Sequence, residues 1–94
     1  MKAELVLADF EGRIGEPFEV AVDGTQFPIV LAEAVPLVPS ARAGGSFSLT
    51  FTGPETPWLQ QGMYPMRHGS DEWEIFLVPL GPKDGEFLYE AVFN

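Results

Sequence analysis

Ser46-Phe47-Ser48-Leu49-Thr50-Phe51-Thr52 alternates polar and apolar residues at every step. A helix advances by about 100° per residue and cannot use such a pattern. In a strand, successive side chains point to opposite faces, so Phe47, Leu49 and Phe51 enter a core while the Ser and Thr hydroxyls face water. The segment predicts an antiparallel β domain with one wet face.

The rest of the chain agrees with that class. Phe18, Val20 and Val22 alternate in Pro17–Val22, and Asp23-Gly24 follows as a tight-hairpin signal. The return strand is expected over Gln26–Val35, with Phe27, Ile29 and Leu31 on one face. Pro28 cannot donate a ladder bond, which predicts an edge or a bulge there. Pro36–Gly45 holds two prolines, two glycines and Arg42, and reads as an exposed loop. Gly53-Pro54-Glu55-Thr56-Pro57 is expected to end the strand that begins at Phe47, with Trp58-Leu59 folding back as an anchor. Gly62–Arg67 reads as a short strand interrupted by Pro65, and His68-Gly69-Ser70-Asp71 as a turn. Glu72–Val78 points Trp73, Ile75 and Leu77 to one side. Its other face is expected to be acidic at Glu72 and Glu74 and buried at Phe76 and Val78. Pro79–Gly85 reads as a breaker-rich turn, and Phe87, Tyr89, Ala91 and Phe93 alternate in the last strand. Leu5–Gly12 is the one helical candidate, with Phe10 expected to plug an end of the core. About six strands with short returns predict an all-β fold, a small antiparallel barrel or two-layer sandwich with a short N-terminal helix, as a single domain over 1–94.

Composition narrows the function classes. A net charge of −9 opposes binding to nucleic acid or anionic membranes. It is expected to serve solubility first, and a basic protein partner second. Asp71-Glu72-x-Glu74 is too regular for a calcium loop. No window approaches the ~18 apolar residues of a membrane span, and the N-terminus lacks the pattern of a secretory signal. With no cysteine, thiolate metal sites and disulfides are impossible. No cofactor or metal is expected. The compartment is expected to be cytoplasmic, or an exported surface or tail-like assembly joined without a signal peptide of the chain's own.

Candidates for chemistry are few. His68 is the single histidine, and Ser70 and Asp71 beside it match a catalytic triad in composition only. No nucleophile elbow or glycine-rich phosphate loop is present, so an enzyme is not expected. Contact residues are sought among aromatics and loops, because aromatics are enriched in interface hot spots. The candidates are Trp58, Leu59 and Tyr64, together with Pro36, Leu37 and Arg42 of the proline loop. Their expected use is binding a protein partner or self-association, through those loops or through a strand edge. The alternative is a small-molecule or carbohydrate-binding barrel using Trp58, Tyr64 and Trp73 around an acidic rim.

Several stretches together resemble a family of small, uncharacterised bacterial β domains. They are Leu7-Ala-Asp-Phe-Glu-Gly-Arg-Ile-Gly-Glu-Pro-Phe, Phe47-Ser-Leu-Thr-Phe-x-Gly-Pro, Leu59-x-Gln-Gly-x-Tyr, Phe76-Leu-Val-Pro-Leu-Gly-Pro and Tyr89-Glu-Ala-Val-Phe-Asn. Members of that family are often encoded beside phage-tail-collar-like proteins of the microcystin-dependent type. The resemblance therefore implies an accessory of a tail-fibre-like assembly, and it supplies no catalytic residues. It also implies structural roles: Gly15 and Gly53 as turns, Gln61-Gly62-x-Tyr64 as the start of a strand, and Phe76 and Phe93 as core.

Overall fold

A computed structural model describes residues 5–37 and 45–93. Six antiparallel strands follow a single helical turn, α1 (Ala8–Glu11). They are β1 (Pro17–Val22), β2 (Thr25–Leu37), β3 (Ser46–Pro54), β4 (Gly62–His68), β5 (Asp71–Lys83) and β6 (Glu86–Phe93). The order around the sheet is β1-β2-β3-β6-β5-β4, closed into a barrel. Among the described residues no helix is long and apolar enough to cross a membrane.

Three two-residue turns fix most of the register. Asp23-Gly24 joins β1 to β2, with Val22 opposite Thr25; both turn residues have positive φ, at 49° and 81°. Asp84-Gly85 joins β5 to β6 with the same signs, at 53° and 82°. Asp and Gly adopt this region more readily than other residues, and its twist matches that of the flanking strands. Gly69-Ser70 closes β4 onto β5.

These turns also explain the prolines. The residues flanking a two-residue turn form a hydrogen-bonded pair, and pairs alternate from there. Pro28 opposite Glu19 and Pro82 opposite Phe87 both fall on non-hydrogen-bonded positions, so neither removes a bond from its hairpin. Pro28 also lies beyond Val30↔Thr52, where β2–β3 pairing ends, which is a local edge as expected. Pro79–Gly85 is not a turn: β5 runs on to Lys83, with a register shift between Pro79 and Gly81. Likewise Gly53 is not a turn residue. It lies in β3 opposite Phe87, where an added Cβ would stand 3.1 Å from Ile29 Cγ2.

The barrel closes at its thinnest point between β1 and β4, through Glu19↔Arg67 and Val20↔Met66. The next pair in that register would place Pro65 against Ala21, and Pro65 has no N–H to offer. Arg67 reinforces the seam with Glu19, 3.5 Å away.

Phe18, Val20, Ile29, Leu31, Phe47, Leu49, Phe51, Met66, Ile75, Leu77, Tyr89 and Ala91 point inward and are buried. Each end has its own plug. The helix is shorter than the expected Leu5–Gly12, but it brings Phe10 into ring contact with Phe18, Phe47, Trp73 and Phe93 at one end. At the other end the segment between β3 and β4 crosses over the barrel and inserts Leu59.

Two expectations about the outer face fail. Ser46 and Ser48 are buried rather than wet. Ser48 faces outward, but Val35 and Val92 stand directly across from it on both sides and shade its small side chain. Phe76, expected in the core, alternates with buried Ile75 and Leu77 and is 45% exposed on the outside.

Candidate interaction surface

The five described candidate contact residues divide between the two ends of the barrel. Pro36 and Leu37 are not in a loop: they are the last residues of β2, opposite Phe47 and Ser46 at the Phe10 end. Arg42 lies outside the described residues. Trp58, Leu59 and Tyr64 gather at the other end.

Of these three, Trp58 is the most exposed. Leu59 is buried, and its backbone N–H donates to the Tyr89 hydroxyl at 2.8 Å. The Tyr64 hydroxyl donates to the Gln60 carbonyl at 2.5 Å, so it acts as a strut for the crossing segment. Trp58 is 48% exposed. Its indole lies flat on the Phe87 ring, with centroids 5.0 Å apart and planes 6° from parallel. Phe87 in turn contacts the Tyr89 ring. Glu55, Thr56 and Pro82 complete a shallow cleft around the pair. The result is an aromatic shelf whose support runs from Trp58 through Phe87 into the core.

Burial pushes the Tyr89 phenol above its ordinary value of 10.0, partly offset by the Leu59 N–H, which favours the ionised form. Near neutral pH it is therefore a protonated phenol that accepts a backbone hydrogen bond. Phe87, which carries the shelf, escaped attention in the sequence because its alternation with Tyr89 marks it only as core.

An open groove runs along the β1–β4 seam and is lined largely by charge. Asp9, Glu19, Asp71, Glu72 and Glu74 outnumber Arg13 and Arg67 there. Both guanidiniums are engaged. Arg13 binds Asp71 at 2.8 Å and lies over the Trp73 ring at 5.6 Å; Arg67 meets Glu19 and Glu72. His68 Nε2 is 2.6 Å from Glu16 Oε1. His68 and Asp71 thus have separate partners on the N-terminal segment, which these contacts hold against the barrel. Trp73 is partly buried against Phe10 at the far end from Trp58, so Trp58, Tyr64 and Trp73 do not form one surface.

No curated protein matches the chain, and no solved structure does. A family model, the domain of unknown function DUF6916, matches residues 5–93, which takes in every strand, the Phe10 plug and the Trp58 shelf, and the chain belongs to that family.

Proposed function

We propose that the chain is a non-enzymatic protein-interaction module that grips a protein partner at the Trp58 end of the barrel. The observation that carries this reading is the half-exposed Trp58 stacked flat on Phe87. A large apolar ring already held in place loses little freedom on binding, which is the property of an interface hot spot. The segment that presents it is anchored just after Trp58, by Leu59 to Tyr89 and by Gln60 to Tyr64.

The resemblance noted from the sequence adds a finer reading, that the partner belongs to a tail-fibre-like or tail-collar-like assembly. Co-purification of the tagged chain from its native host tests both levels. Trp58→Ala should reduce recovery of the partner at least tenfold while the protein stays folded, because half of the indole faces solvent. Unchanged recovery with Trp58→Ala overturns the site assignment, and a partner unrelated to tail proteins overturns the finer reading.

A further inference from the structure

The wall of the barrel carries a second feature, an apolar patch across three neighbouring strands. Met63 on β4 lies directly opposite Phe76 on β5. The β5–β6 register, carried two residues past Val78↔Glu90, sets Phe76 level with Val92 on β6. All three face outward, and they are 58%, 45% and 45% exposed. Single exposed apolar side chains are ordinary, whereas large ones aligned across adjacent strands mark contact sites.

Carboxylates border the patch along the strands. Glu90 is two residues from Val92 on β6, and Glu74 two residues from Phe76 on β5, toward opposite ends of the barrel. The alternation of each strand puts both on the same outer face as the patch. Of the described cations, Arg13 and Arg67 are already paired with acids, and Lys83 sits at the far tip of the β5–β6 hairpin. Among the described residues the charge beside the patch is therefore negative, in a chain of net charge −9.

This combination selects the occupant. A second copy of the chain would match apolar to apolar, but it would also bring Glu74 and Glu90 against its own carboxylates, and like charges oppose such contacts. A segment with an apolar row flanked by Lys or Arg satisfies both the centre and the rim. We infer that Met63, Phe76 and Val92 form a docking surface for a basic amphipathic segment of another protein. The inference rests on reading the chain as an interaction module, but it concerns the barrel wall rather than the Trp58 end.

Amide shifts of the isotopically labelled full chain test it, during titration with a synthetic 18-residue Leu/Lys amphipathic peptide. A control peptide carries Glu in place of every Lys. The inference expects saturable shifts centred on Met63, Phe76 and Val92 with the Lys peptide and none with the Glu peptide. Phe76→Ser and Glu90→Lys should each weaken binding at least tenfold, and Met63→Ser provides the same test should Phe76→Ser not fold. Shifts elsewhere on the barrel, equal binding of the Glu peptide, or affinity unchanged in the variants overturns it. So does a dilution-sensitive dimer of the chain that uses the same residues. The titration reads the wall and the Trp58→Ala co-purification reads the barrel end, so either proposal can fail without the other.

Discussion

The backbone N–H of Leu59 donates to the hydroxyl of Tyr89 across 2.8 Å, inside the barrel. Leu59 belongs to the segment that crosses the barrel end, and Tyr89 to the middle of β6, thirty residues away in sequence. The bond ties the support of Trp58 to a strand hydrogen-bonded on both sides. Without it, the Trp58 shelf would rest on the Phe87 stacking, the buried Leu59 side chain and the Tyr64 bond to Gln60.

Tyr89→Phe keeps the ring and removes the acceptor. The Leu59 N–H is then left buried without a partner, which costs about 1–3 kcal/mol. For a chain of this size each kcal/mol lowers Tm by about 4–8 °C. Thermal unfolding checks this, and an unchanged Tm would show that the Tyr89 bond adds nothing to the hold on the crossing segment.

The same residue sets an alkaline limit on stability. Burial raises the folded-state value of Tyr89 above 10.0, so the folded chain keeps this proton longer than the unfolded chain does. That contribution is fully present below about pH 10 and falls as pH rises from there through the folded value. The informative quantity is the difference from a variant that lacks the phenol. Urea unfolding at stepped pH should show wild type losing more stability above pH 10 than Tyr89→Phe, and parallel curves would remove Tyr89 as the cause.

Gly53 is a strand residue with no room for a side chain. An added Cβ would lie 3.1 Å from Ile29 Cγ2 and 3.4 Å from Tyr89 Cε2. Both neighbours are buried, and a β-branched side chain has little freedom to move aside. Gly53→Ala should therefore destabilise by about 1 kcal/mol, in the range typical of overpacked cores. Ile29→Leu removes the methyl on Cβ, so the double variant should lose less than the sum of the two singles. Additive losses in urea unfolding would place the strain elsewhere.

How far the sequence shows this fold depends on which signals share a position. The alternation of Phe47, Leu49 and Phe51 marks β3, and Asp23-Gly24 marks the β1–β2 hairpin, because each signal stands alone there. Asp84-Gly85 carries the same hairpin signal, but Pro79 and Pro82 before it suggest that the strand has already ended. Only the register shows that Pro82 occupies a position where no bond to β6 is made. Gly53 misleads for a related reason: Gly-Pro reads locally as a turn, while its purpose here is a close approach to Ile29 from another strand. For the candidate surface, Trp58 is legible as an aromatic among prolines. Its partner Phe87 is not, since their stacking depends on where the crossing segment lands.

Phe76 gives the sharpest contrast between the two sides of the wall. Strand parity from Ile75 and Leu77 turns it outward, and it is 45% exposed where Leu77 is wholly buried. Leu77→Ala removes packed core volume and should cost about 2–5 kcal/mol. Phe76→Ala removes a ring that already faces water, with Met63 as its neighbour across the strand, and should stay within about 1 kcal/mol of wild type. Urea unfolding of the two variants measures both. A loss at Phe76 as large as that at Leu77 would place the Phe76 ring in the core and leave the outer patch without its centre.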